Sequence, residues 1–318
     1  MSVPEWLELA RRSRSLIPEE LLDTPVVRSP ALDRALGCRV LLKDECLGPI
    51  GSFKGRGTEV LFRRRVFEDP VACASAGNFG QGIAWSASAR GVRSIVYAAT
   101  AASPLKVERM RRLGAEVRLV GRDLDEAKDI ARTEAERFGW TFLEDGREEE
   151  MFLGAATIGQ ELEETGERFD VLLCPVGNGA LFGGLAGWFA LRGLPARRFG
   201  VVASEAPSMA LSFEAGVPVS TETAQTVADG IAVRVPVALG VERVNAFADE
   251  ILTVSETSLA EGVRLLHSTT GLVVEPAGAA AVAALLEHGF RFKGLQVAAP
   301  LFGGNLDPER LAAILGGP

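Results

Sequence analysis

Histidine is nearly missing from this chain: its 318 residues include two, His267 and His288. So small a supply argues against a histidine-based metal site and against a Ser-His-Asp triad. Cysteine is scarce too. Cys38, Cys46, Cys73 and Cys174 lie far apart and form no CxxC pair, so neither a zinc site nor a disulfide framework is expected. No stretch approaches the roughly 18 consecutive apolar residues of a membrane span. The first ten residues carry Glu5 and Glu8 and lack the basic-then-apolar pattern of a secretion signal. Positive charge is in deficit, because 34 Lys and Arg against 42 Asp and Glu give a formal charge of −8. That balance argues against nucleic acid or an anionic membrane as a partner. Internal repeats, low-complexity tracts and Gly/Ser linkers are absent as well. The expectation is a cytoplasmic, enzyme-like protein that acts on a small molecule and holds no metal.

What remains is ordinary globular material, 47% hydrophobic and 24% charged, enough to bury a sizeable core. The length suits one large α/β unit or two lobes of roughly 150 residues each. Short runs rich in Val, Ile and Leu read as strands: Val40–Lys43, Ser94–Ala98, Glu116–Val120, Val171–Val176, Gly200–Ala203 and Ile251–Val254. Near-continuous apolar runs of this kind belong to strands covered on both faces. Between them lie helical segments, Lys106–Leu113, Asp123–Phe138 and Met151–Glu164, the first stopped by Gly114. Alternation of strand and helix implies parallel sheet and the α/β class. The charge run Glu144–Glu150 reads as a solvated loop or helix start, and as a place where the chain could cross between lobes.

Four glycine-containing segments carry the chemistry. In Gly51-Ser52-Phe53-Lys54-Gly55-Arg56-Gly57 one lysine follows an aromatic residue in a tight turn. It is either an exposed loop lysine or a lysine in an enclosed site, where loss of solvation favours the nucleophilic neutral amine. Ser75-Ala76-Gly77-Asn78-Phe79-Gly80-Gln81-Gly82 follows the apolar run Val71–Ala74 and precedes a helix over Gln81–Arg90. Backbone N–H groups at such a helix start attract anions, although a purely structural turn fits equally well. Val176-Gly177-Asn178-Gly179-Ala180-Leu181 also leads from a strand into a helix, and small residues there let the backbone close on a phosphate. It matches neither the dinucleotide fingerprint nor the P-loop. The fourth is the pair Glu275-Pro276-Ala277-Gly278-Ala279 and Phe302-Gly303-Gly304-Asn305, where close packing alone would explain Gly278.

Taken in order, these segments resemble the fold type II pyridoxal-phosphate enzymes of the tryptophan-synthase-β type, nearest the threonine/serine dehydratase branch. The resemblance runs from Thr24-Pro25 to Asn305 and includes Leu42-Lys43-Asp44-Glu45, Gly154-Ala155-Ala156-Thr157-Ile158-Gly159 and Ala228-Asp229-Gly230-Ile231-Ala232-Val233. It implies two α/β lobes with mostly parallel sheets covered by helices, and the cofactor, pyridoxal 5'-phosphate, between them. Residues 1–69 and 147–318 would form the larger lobe, and 70–146 an inserted smaller one. Lys54 would form the Schiff base and later remove the substrate's α-proton. Phe53 would pack beside the ring, and Asn78 would bond its phenolic oxygen. Ser75, Ala76, Gly77, Asn78 and Phe79 would meet the substrate. Gly177, Asn178, Gly179, Ala180 and Leu181 would hold the phosphate, with Gly230 and Glu275 lining the pocket. The reaction implied is β-elimination from an amino acid such as threonine or serine, giving a 2-keto acid and ammonia, in a homodimer. β-Replacement or threonine-synthase-like chemistry is the rival on the same scaffold; a catalytically altered homologue that only binds ligand is a second.

Five positions depart from the family pattern. The phosphate loop, often four glycines in relatives, has Asn178, expected to accept a left-handed backbone, and Ala180. Phe79 replaces a frequent histidine, which points to a more apolar pocket. Phe302 stands where dehydratases usually place Ser or Cys to meet the pyridine nitrogen. Ala76 replaces the serine that donates a proton in racemases, which disfavours racemisation. Because the sequence stops soon after Asn305, no C-terminal regulatory domain, and no isoleucine feedback through one, is expected.

Overall fold

The computed structural model describes residues 2–316. Among them are ten strands: β1 (Val26–Val27), β2 (Arg39–Asp44), β3 (Val71–Ala74), β4 (Ser94–Ala98), β5 (Glu116–Leu119), β6 (Thr141–Leu143), β7 (Val171–Pro175), β8 (Arg197–Ala203), β9 (Glu250–Val254) and β10 (Gln296–Leu301). They form a six-stranded sheet, ordered β1-β2-β10-β7-β8-β9, and a four-stranded sheet, ordered β5-β4-β3-β6. Only the β1–β2 pair is antiparallel. The other neighbours run parallel, so helices must carry the chain back between strands. This is the α/β architecture expected of a fold type II enzyme.

The smaller sheet shows how the sequence sorts its two faces. Val71, Cys73 and Val96 join Ile83, Val107 and Met110 in one core. Their alternates Ala72, Ile95 and Tyr97 join Ala127, Ala131 and Ala135 in another. The period of two in the strands thus meets a period of four in the helix Leu124–Phe138. Asp123 caps that helix by accepting from the Glu126 N–H, and Gly139 ends it at φ 71°. The larger sheet buries one continuous core that includes Trp6, Leu41, Phe152, Leu172, Phe182 and Phe199.

Two helices join the sheets. Lys54–Arg64 leads from the larger sheet towards β3, and Glu149–Glu164 leads back from β6. Their backbones touch where glycine faces glycine. A Cβ on Gly154 would lie 2.3 Å from the Gly57 nitrogen, so no side chain fits. At the ends of the excursion, Arg65 binds Glu148 at 2.7 Å and Glu150 at 2.5 Å. The run 144–150 is therefore not a solvated loop: Glu144, Glu148 and Glu150 are buried and matched by arginines and Lys128. It does carry the chain from one sheet to the other.

A buried ionic cluster underlies the Lys54 helix. Arg56 is fully buried and bonds Glu45 through two 2.8 Å contacts and Glu161 at 2.5 and 2.9 Å. Lys43 completes it, 2.6 Å from Glu161. Burial alone would raise the Glu161 carboxyl, but Arg56 and Lys43 outweigh it and hold it at about 2.

Several sequence boundaries shift. β8 starts at Arg197, three residues before the apolar run, because Arg197 and Arg198 pair with Val171 and Leu172 at the start of β7. The second glycine segment enters its helix at Asn78, not Gln81. β10 was not expected, since Pro300 weakens its strand pattern, yet it pairs with β2 from Gln296 opposite Arg39 to Leu301 opposite Asp44. No helix among the described residues is long and apolar enough to cross a membrane.

Candidate active site

β10 brings the two ends of the chain together. Beyond its pairing with β2, Ser52 bridges to Gly303, the Phe53 N–H donates to the Phe302 carbonyl at 3.2 Å, and the Ser52 hydroxyl donates to the same oxygen at 2.9 Å. Lys54 then opens its helix with its side chain in the cleft between the sheets. Its Nζ lies 2.6 Å from Asp145 Oδ1, 4.8 Å from the Phe53 ring centre and 5.9 Å from that of Phe79. The Lys54 side chain is 12% exposed and that of Asp145 24%. This is an enclosed lysine with one acidic partner, not a surface lysine.

Opposite, the β3 turn is closed by a side chain. The Ser75 hydroxyl accepts from the Gly77 and Gly80 N–H groups at 3.1 and 3.0 Å. Asn78 is buried and fixed on both sides: it donates to Glu275 Oε1 at 2.8 Å and accepts from Asn305 Nδ2 at 2.7 Å. Asn305 also donates to the Ile50 carbonyl at 2.7 Å and accepts from Arg109. Gly303 must lack a side chain here, since its Cβ would lie 2.3 Å from Glu275 Oε1. Burial pushes the Glu275 carboxyl up to about 7, against the pull of Lys106 and with a further push from Asp229. Its Oε2 is buried without a partner among the described residues.

The third wall is the turn after β7. Gly179 takes the left-handed backbone, φ 85°, and caps the helix Ala180–Leu191. Asn178 does not, because Asp23 is the one non-glycine residue with positive φ among those described. Gly179 carries the conformational demand, which leaves Ala180 an ordinary first helical residue. The turn is clamped: a Cβ on Gly240 would lie 2.0 Å from the Asn178 carbonyl oxygen, and one on Gly146 2.7 Å from it. The N–H groups of Gly177, Asn178 and Gly179 find no acceptor among the described residues. N–H groups left open at a helix start suit a phosphate, so the turn fits the anionic end of pyridoxal phosphate, and Lys54 lies in the same cleft with an amine of the kind its aldehyde would bind.

One cleft is lined by every residue that sequence reasoning selected: Phe53, Lys54, Ser75 to Phe79, Gly177 to Leu181, Gly230, Glu275 and Phe302. Phe302 is buried and packs edge-on against Phe53, with ring centres 5.9 Å apart. Sequence reasoning missed Asp145, Lys106 and the clamp at Gly240. Lys106 reaches from the helix Pro104–Arg112 to pair with Asp229 at the cleft wall. No local signal separates Asp145 from the glutamates around it, or Lys106 from the basic face of its helix.

Comparison with known proteins agrees with this geometry. The family model described as "Pyridoxal-phosphate dependent enzyme" matches residues 17–303. The L-threonine ammonia-lyase of Thermotoga maritima is 32% identical, over 97% of this chain and 78% of the relative. The L-threo-3-hydroxyaspartate ammonia-lyase of a Pseudomonas species is 32% identical, over 92% of this chain and 93% of the relative. Among solved structures, a T.th. threonine deaminase superposes with a TM-score of 0.85 at 34% identity, covering 95% of this chain and 98% of that one.

Proposed function

Because the chain belongs to the fold type II pyridoxal-phosphate-dependent enzymes, among its β-eliminating lyases, we propose that it is an ammonia-lyase that converts a β-hydroxy amino acid, by default L-threonine or L-serine, to a 2-keto acid and ammonia. The observation that carries this is the placement of Lys54, with its acidic partner Asp145, in the same cleft as the open N–H groups of the Gly177–Leu181 turn.

Lys54 would hold the cofactor's aldehyde carbon, the turn its phosphate, and Asn78 its phenolic oxygen. When bound, the cofactor supplies a ring that takes up the negative charge left at the substrate's α-carbon. The chain's own groups do the rest. The Ser75–Asn78 turn, shaped by the Ser75 hydroxyl, receives the substrate carboxylate. Lys54 Nζ takes the α-proton, and Asp145 at 2.6 Å steadies the ammonium that results. That ammonium can return a proton to the departing β-hydroxyl as water leaves. Phe79 and Phe142 in the cleft lining limit water near the reacting carbon. The enamine released hydrolyses to keto acid and ammonia. A cytoplasmic homodimer goes with the resemblance, and sedimentation would check the assembly.

The test is release of 2-keto acid and ammonia from L-threonine, L-serine and L-threo-3-hydroxyaspartate by the cofactor-loaded protein. Lys54→Ala should lower turnover by at least about 10²–10⁴-fold, the usual worth of a positioned acid-base group. Cofactor-loaded protein that releases no keto acid from any β-hydroxy amino acid would defeat the reading.

A further inference from the structure

Asn305 is buried, 6% exposed, yet it is not among the residues that line the cleft. Its amide is paired on every side. Nδ2 donates to the Ile50 carbonyl and to Asn78 Oδ1, both at 2.7 Å, and Oδ1 accepts from Arg109. These partners decide which way round the amide lies. A backbone carbonyl can only accept, and a guanidinium can only donate. Ile50 therefore requires nitrogen on one side of Asn305, and Arg109 requires oxygen on the other. The amide cannot be turned over without losing both, so it must offer Asn78 a donor.

Asn78 inherits that choice. Its Oδ1 faces Asn305, so its Nδ2 faces away, with one hydrogen on Glu275 Oε1 at 2.8 Å. Glu275 alone would not settle this, because a carboxyl accepts when charged and can donate when protonated. The second Nδ2 hydrogen of Asn78 has no acceptor among the described residues, and Asn78 lines the cleft. We propose that Asn305 is a positioning residue that sets the polarity of the Asn78 amide, so that Asn78 offers the cleft an N–H for an acceptor oxygen of the ligand and not a carbonyl.

The relay starts outside the cleft. Arg109 belongs to the helix Pro104–Arg112, which packs on the smaller sheet through Val107 and Met110. Asn305 follows β10, and Ile50 precedes the turn into Lys54. Gly51, at φ 58°, makes the room: a Cβ there would lie 3.0 Å from Asn305 Oδ1. One buried side chain thus ties a helix of the smaller sheet, the Asn78 turn and the lysine turn together. The proposal rests on cofactor binding as read above, where the acceptor is the phenolic oxygen, but not on the reaction.

The chain has four asparagines, Asn78, Asn178, Asn245 and Asn305, so whole protein labelled with ¹⁵N in its asparagine side chains gives few signals to assign. In the cofactor-free wild type both Asn305 protons should exchange slowly with water, and one Asn78 proton quickly. Pyridoxal phosphate should slow that one. Equilibrium dialysis then compares pyridoxal phosphate with its 3-deoxy analogue, which lacks the phenolic oxygen. The wild type should prefer the complete cofactor by at least about tenfold, the worth of a hydrogen bond to a charged oxygen. Asn305→Asp keeps the shape, removes the donor and can still pair with Arg109. It should turn Asn78 over and erase the preference. A mere loosening of the fold would weaken both cofactors alike and leave their ratio unchanged. That unchanged ratio in folded Asn305→Asp, a fast-exchanging Asn305 proton, or no response of Asn78 to the cofactor would each overturn the proposal. The wild-type exchange pattern decides the matter if the variant does not fold. Failure to bind pyridoxal phosphate at all would sink the cofactor reading and leave the cofactor-free pattern to judge Asn305. The expected ratio without keto acid would sink the lyase reading alone.

Discussion

A lysine serves as nucleophile and base only if it is held without being consumed by its neighbours. Asp145 meets that need with one 2.6 Å contact from a segment that belongs to neither sheet. Asp145→Asn keeps the shape and removes the charge that steadies the Lys54 ammonium. We expect turnover to fall by about 10²-fold, the low end for a proton-transfer group, with little change in KM. Steady-state kinetics checks this, and an unchanged turnover would make Asp145 a bystander. Lys54 was legible because a lone lysine sits in a run of small residues. Asp145 was not, because acids within a charge run look alike until the fold selects the one that faces the cleft. Asn178 shows the converse. Its tolerance of a left-handed backbone invited that assignment, but the neighbouring Gly179 meets the same demand with no steric cost.

Among the elements, the turn after β7 is held by backbone against backbone. A methyl group on Gly240 would meet the Asn178 carbonyl oxygen at 2.0 Å, and that oxygen belongs to a rigid turn. Gly240→Ala should therefore displace the turn and weaken cofactor binding at least about tenfold, worth about 1.4 kcal/mol. Gly289→Ala, whose Cβ would meet nothing within 4 Å, should leave binding unchanged. Equilibrium dialysis of both variants checks the contrast; equal affinities would mean that the clamp is loose. Strands were legible where Val, Ile and Leu cluster, as in β4 and β7. β10 was obscured by Pro300, whose missing N–H argues against a central strand, although it is this strand that aligns Phe302 with Phe53.

For the molecule as a whole, two buried carboxyls pull stability in opposite directions with pH. Glu161 is depressed to about 2. Its contribution is complete above its ordinary value of about 4.5 and is lost as pH falls from there to about 2. Glu275 is raised to about 7. It burdens the cofactor-free fold increasingly as pH rises from its ordinary 4.5 through about 7. Urea unfolding of cofactor-free protein should show both slopes, and Glu275→Gln should flatten the second. Arg56→Met should be far more damaging than either, at about 3–5 kcal/mol, since it leaves Glu45 buried without its cation and Glu161 with Lys43 alone. A loss below about 1 kcal/mol would mean that water or a rearranged Lys43 takes over, against the usual cost of breaking a buried pair.

The excursion into the smaller sheet departs and returns through one ionic knot, Arg65 with Glu148 and Glu150. A chain laid out this way can exchange the whole segment between those points as a cassette. The turn proposed to receive the substrate carboxylate lies inside the cassette, and the turn that suits a phosphate lies outside it. Selection can thus try new substrates on one half of the cleft while the other half goes on gripping the same coenzyme.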